Sequence, residues 1–152
     1  MIQLKSNREI EVMAEGGKIL AATVQMLRRA VRPGISTQEL DAIAEAFIRG
    51  HKGATPAFKG LYGFPGTLCT SINQEIVHGI PSKKRVLKEG DIISIDVGVG
   101  YQGYFTDSAT TVAVGAVDAE TTRLWRRLRR SAGVSLATWT ATVVAGAILV
   151  NA

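Results

Sequence analysis

Cysteine is almost missing from this chain: its 152 residues contain one, Cys69. That excludes an internal disulfide and a cysteine-based zinc finger, and it fits a reducing compartment. The opening Met1-Ile-Gln-Leu-Lys5 lacks the basic start and apolar run of a secretory signal, so none is expected. Histidine occurs only at His51 and His78, and no acidic residue follows Glu120. This last absence makes the net charge of +5 uneven. All 13 acidic residues precede Thr121, whereas Arg123, Arg126, Arg127, Arg129 and Arg130 follow it. Residues 1–120 are balanced, so their composition gives no support to a nucleic-acid partner. What remains is ordinary for one globular domain, 46% hydrophobic and 20% charged.

Two helices open the chain. Ser6-Asn-Arg-Glu9 is a capping box, and Ile10, Met13, Gly17, Leu20, Val24, Leu27 and Val31 follow at helical spacing. Arg32-Pro33-Gly34 ends that helix, and Arg28, Arg29 and Arg32 suit the negative end of its dipole. A second box, Ser36-Thr-Gln-Glu39, starts a shorter helix with Leu40, Ile43, Ala44, Phe47 and Ile48 inward, ending near Gly50. His51 then reads as a surface or helix-capping histidine rather than a ligand. Residues 53–66 are rich in Gly and Pro with Phe58, Tyr62 and Phe64 interleaved. Such a loop either walls a pocket or is simply pinned to the core by its aromatics. Thr67–Ile72 reads as a strand and Ile76–Pro81 as a second, short one with His78 near its end. His78 is open to a structural or a functional reading. Ser82–Gly90 is a charged surface loop, and Asp118 caps a further helix.

The stretch Asp91 to Val112 reads as a hairpin holding two carboxylates, Asp96 and Asp107, among Val, Ile, Tyr, Phe and Thr. With Tyr101-Gln102 as a two-residue turn, Asp96 stands directly opposite Asp107, their β-carbons about 5 Å apart. Like charges so placed disfavour folding unless a cation lies between them. A divalent metal such as Mn, Co, Zn or Fe would satisfy hard carboxylate oxygens. Two solvated aspartates on an exposed face are the alternative.

The segments Cys69-Thr-Ser-Ile-Asn73, Val77-His-Gly-Ile-Pro81, Leu87-Lys-Glu-Gly-Asp-Ile-Ile-Ser-Ile-Asp-Val97 and Gly103-Tyr-Phe-Thr-Asp107, in this order, resemble type I methionine aminopeptidase. The likeness runs from the first helix to about Thr122. It implies an α+β chain, the N-terminal half of a pita-bread fold, with an antiparallel sheet and helices on one face. It implies a metalloaminopeptidase that removes the initiator methionine from nascent proteins, with water activated by two divalent ions (Co, Mn, Zn or Fe). Asp96 and Asp107 match the aspartate ligands, Asp107 bridging both metals. His78 matches the catalytic histidine that contacts the scissile amide. Cys69 and Phe64 match the wall of the methionine pocket, Phe64 replacing a common tyrosine. The resemblance also implies a cytoplasmic monomer acting near the ribosome, starting directly at its catalytic domain, with no nucleic-acid or membrane partner. Related Xaa-Pro peptidases, and a metal-free binding module of the same fold, are alternatives.

The family's further histidine and two glutamate ligands, and its second substrate histidine, would follow Thr122. None is here, so three of five ligands are missing and an inactive fragment is a further reading. Residues 1–122 thus form the half-domain and residues 123–152 an atypical tail. The uncharged run from Ser131 to Ala152 behind five arginines could be read as a membrane anchor. A frameshift fits better: shifting the codons by one base turns Trp139-Thr140 into Asp for any Thr codon. It also permits Leu-Glu-Ala, Gly-Asn-Arg and Asp-Ile-Gly, text resembling the family's own sequence in this region.

Overall fold

The structure, a computed structural model, describes residues 4–124 and 126–127. Two compact units divide after Ala116. In the first unit, helix α1 (Asn7–Ala30) begins on the expected capping box. The Glu9 carboxylate accepts from the Ser6 amide at 2.7 Å, and the Ser6 hydroxyl accepts from the Glu9 amide at 3.4 Å. The buried stripe of α1 is Gly16, Leu20, Thr23 and Leu27. It lies partly off the expected face: Gly16 replaces Gly17, Thr23 joins it, and Ile10 is 52% exposed. A glycine and a threonine weigh little in a hydrophobic pattern, yet Gly16 is where the helix meets the sheet. A β-carbon there would lie 3.2 Å from Cβ of Tyr101.

Helix α2 (Thr37–Arg49) starts on the second box, with Glu39 returning to the Ser36 amide at 2.8 Å. Leu40, Ala44 and Ile48 are completely buried. His51 is the helix cap that sequence allowed: its Nδ1 lies 2.9 Å from the Phe47 carbonyl oxygen, and the two rings pack at 4.9 Å.

Four antiparallel strands come next: β1 (Ala54–Pro56), β2 (Leu68–Ile72), β3 (Ile92–Tyr101) and β4 (Tyr104–Ala113). Strand β3 is the centre. One of its edges pairs with β2 over Ile93–Val97 and with β1 over Val99–Tyr101, and the other pairs with β4. Side chains alternate across a strand. Ile93, Ile95, Val97 and Val99 therefore share one face, fully buried in one cluster with Leu20 and Leu27 of α1 and Leu40, Ala44 and Ile48 of α2. Each buried Val, Leu or Ile side chain among them contributes about 1.5–3 kcal/mol. Ser94, Asp96, Gly98 and Gly100 share the opposite face. This is the expected α+β layout, helices on one side of an antiparallel sheet.

Two expectations are corrected. The hairpin turns on Gln102-Gly103, with φ of 48° and 86°, not on Tyr101-Gln102. Positive φ at both positions is the pattern of the I′ loop that matches strand twist, and glycine takes it without steric cost. Tyr101 therefore pairs with Tyr104, Asp96 with Ala109 and Asp107 with Gly98. The two aspartates are diagonal neighbours, with β-carbons roughly 7 Å apart rather than 5 Å. Secondly, Ile76–Pro81 is not a strand but irregular chain with a bend at Val77. It is joined to β2 by a hydrogen bond from the Thr70 amide to the Gly79 carbonyl, 2.7 Å, and Ile76, Val77 and Ile80 are exposed.

In the second unit, residues 119–124 are helical and Asp118 is the predicted cap, its Oδ1 accepting from the Thr121 amide at 2.6 Å. The tail expected from residue 123 lies outside the described residues except at Arg123, Leu124, Arg126 and Arg127. No helix among the described residues is long and apolar enough to cross a membrane.

Candidate metal and substrate site

The face of β3 turned away from the helices carries Asp96, and β4 adds Asp107 beside Gly98. Strand β2 places Cys69 directly opposite Asp96 on that same face. The aromatic loop before β2 and the irregular segment after it both line a cleft over this face. The cleft is open and measures about 480 Å³. Phe64, Cys69, His78, Asp96 and Asp107 all line it. Five residues singled out in sequence thus share one concavity. The loop does wall a pocket, with Phe58 and Tyr62 as well as Phe64, and sequence reasoning missed the contributions of Leu61 and Ile80. The signal for these was only their place beside residues already chosen.

Local structure explains each placement. Gly79 lies so close to β2 that an added β-carbon would overlap the Thr70 carbonyl. The Ser71 hydroxyl accepts from its amide at 3.2 Å. His78, next to it, is held at φ 59°, a left-handed conformation that costs a non-glycine residue about 1–3 kcal/mol. Such strain persists only where surrounding contacts impose it. Arg85 supplies one, donating to the Ile80 carbonyl at 2.9 Å and to the Glu75 carboxylate.

The electrostatics follow from burial. Asp96 is pushed above the usual carboxylate range by desolvation first and by the Asp107 charge second, with His78 and the Val97 amide opposing. The Cys69 thiol is pushed up to about 11 by burial, then by Asp96 and Asp41. The thiol is therefore largely protonated at neutral pH and offers a soft, uncharged wall. Two carboxylates on one face, one already disfavoured as an anion, fit one end of a divalent-metal site. Among the described residues no group of three or more His, Cys, Asp or Glu side chains could hold a metal ion.

Comparison with known proteins gives this arrangement a family. The model for metallopeptidase family M24 matches residues 11–147. The chain belongs to that family. It is 52% identical to a methionine aminopeptidase of Clostridium perfringens over 126 residues, which is 83% of this chain and 50% of the relative. It is 49% identical to the Clostridium acetobutylicum methionine aminopeptidase over 131 residues, 86% of this chain and 52% of the relative. The crystal structure of Thermotoga maritima methionine aminopeptidase superposes with a TM-score of 0.80 at 38% identity, over 86% of this chain and 52% of that one. A Bacillus anthracis Xaa-Pro dipeptidase superposes at 0.69 with 25% identity, over 81% and 33%. This M24 chain thus has the fold of half a pita-bread domain, and it spans about half the length of the curated relatives it matches.

Proposed function

We propose that this M24 chain is the N-terminal half of a metal-dependent methionyl aminopeptidase that removes the initiator methionine of nascent proteins in the cytoplasm. The observation that carries the reading is the convergence of Phe64, Cys69, His78, Asp96 and Asp107 on one cleft. Asp96 and Asp107 would be this half's ligands to the divalent metals, Asp107 the one shared by them. The metals, when bound, supply an activated water and a Lewis acid for the first peptide bond. The chain's own residues do the rest. The neutral Cys69 thiol and the Phe64 ring offer an unbranched thioether a polarisable wall. His78, fixed in its strained backbone, presents its ring to the amide that is cleaved.

A specific observation favours a second reading of this polypeptide, that it lacks activity alone. Two carboxylates hold a divalent ion weakly, and no histidine follows His78 and no glutamate follows Glu120. On this reading residues 1–122 are the half-domain, and residues 123–152 are a frameshifted replacement for the second half of the relatives. The Xaa-Pro peptidase reading is less well supported, since identity and TM-score both favour the methionine enzymes.

The deciding assay is methionine release from Met-Gly-Met with Co or Mn added to purified chain. Release that disappears in Asp107→Ala supports an active enzyme. No release, together with Mn binding that disappears in Asp107→Ala, supports the half-site. Absence of both rejects the metal-site reading. The nucleotide sequence tests the frameshift.

A further inference from the structure

Neither Thr37 nor Asp41 lines the cleft, yet both are buried polar residues one turn apart on α2, 0% and 3% exposed. Each grips the backbone of a different cleft wall. Asp41 Oδ1 accepts from the Thr67 amide at 2.7 Å and the Leu68 amide at 2.8 Å. Those residues lie between Phe64 and Cys69. Thr37 Oγ1 accepts from the Ser82 amide at 2.9 Å and donates to the Ser82 carbonyl at 3.2 Å. Ser82 comes directly after the wall formed by His78 and Ile80. Gly66 fills the gap between the two grips. A β-carbon there would lie 3.0 Å from the Pro81 ring and 3.1 Å from Asp41 Oδ1.

We infer that Asp41 and Thr37 are positioning residues that set the width of the cleft, and with it the side-chain size the cleft accepts. An apolar residue at position 41 would fill the core equally well. A carboxylate there is costly to bury and is retained where it satisfies two amides that would otherwise be orphaned. The helix face carrying the two grips is rigid, because Leu40, Ala44 and Ile48 beside them are fully buried. The spacing of Phe64 and Cys69 from His78 and Ile80 is therefore fixed from behind by one turn of helix, through Gly66 and Pro81.

The ligand side of this inference rests on the methionine-pocket reading; the width itself does not. The test uses the full chain and follows alkylation of Cys69 by small iodoacetamide and bulky N-phenylmaleimide. Methionine amide and valine amide serve as protecting probes. Asp41→Ala should shift the ratio of the two rates toward the bulky reagent on the order of tenfold, the effect of losing a buried acceptor. Asp41→Asn, which keeps an oxygen for both amides, should restore the wild-type ratio. Gly66→Ala, wedged between Pro81 and Asp41, should shift it as Asp41→Ala does. Ala44→Gly, a core change on the same helix, should alter both rates alike through stability alone. An unchanged ratio in Asp41→Ala, or an equal shift in Ala44→Gly, overturns the inference. If Asp41→Ala does not fold, an unchanged ratio in Gly66→Ala does so. If methionine amide fails to protect Cys69 while the ratios shift as stated, the methionine reading falls and the positioning role stands.

Discussion

The Phe58 ring rests on Gly98: a β-carbon built at Gly98 would lie 2.7 Å from Phe58 Cε1 and 2.8 Å from Ala57 Cβ. The loop is tied down at the same place by a hydrogen bond from the Ala57 amide to the Gly98 carbonyl, 3.0 Å. Gly98 also faces Asp107 across the hairpin, so the seat of the ring and the carboxylate are neighbours. Gly98→Ala should therefore displace Phe58 and destabilise the chain by about 1–3 kcal/mol, the usual cost of overpacking. Urea unfolding should show a lower midpoint with an unchanged slope.

Divalent metal should stabilise the chain through Asp96 and Asp107. Mn or Co is expected to raise the melting temperature in a concentration-dependent way, and a chelator to reverse the gain. Asp107→Asn should abolish the response, while melting without metal stays level or improves because a like charge beside Asp96 is gone. A metal response that survives in Asp107→Asn would show that binding occurs elsewhere.

Glu9 ties the start of α1 to the hairpin, its carboxylate accepting from the Tyr104 hydroxyl at 2.7 Å. Hydrogen bonds from the Ser6 amide, then from Tyr104 and from the Ser6 hydroxyl, lower its pKa to about 2. A carboxyl whose folded pKa is depressed contributes stability above its unfolded pKa and loses it as pH falls through the folded one. The contribution of Glu9 should fade between about pH 4.5 and pH 2. Glu9→Gln should flatten the stability profile over that window and nowhere above it. Chemical denaturation at a series of acidic pH values makes the comparison.

Arg85 should govern the segment that carries His78. Burial does not hold this segment, since Ile76 and Val77 are 87% and 64% exposed. Polar contacts do, and Arg85 joins its two ends through Glu75 and the Ile80 carbonyl. In Arg85→Ala, amide hydrogen exchange should rise from Glu75 to Ile80 while the amides of β3 keep their protection. Equal loss of protection in β3 would mean that the clamp is part of the global core.

Much of the fold was legible because its signals are local. Both capping boxes close as their Ser-x-x-Glu spacing requires, and Asp118 caps its helix. The hairpin register was misjudged by one loop position. Gly100-Tyr-Gln-Gly103 offers two candidate loops, and Gln102-Gly103 wins because glycine takes the second positive φ while Tyr101 stays in the strand. That slip moved the partner of Asp96 by two residues, and side chains alternate with period two. Both aspartates therefore stayed on one face and line one cleft. Asp41 was not legible. Its partners lie 26 and 27 residues away, and only the packing of α2 against the start of β2 brings them together. The segment at Ile76–Pro81 misled because its β-branched Ile76, Val77 and Ile80 imply burial, yet all three are exposed.

The two-residue loop at Gln102-Gly103 also bears on how the site is built in time. A hairpin closed by so short a loop forms in about 1–10 μs, with little loop entropy to overcome. Among the described residues, β1 and β2 pair only with β3. The cleft walls are therefore synthesised before the strand that supports them, and they can order only once it arrives. We expect the carboxylate pair to be the first part of the site to assemble, with the pocket condensing around it.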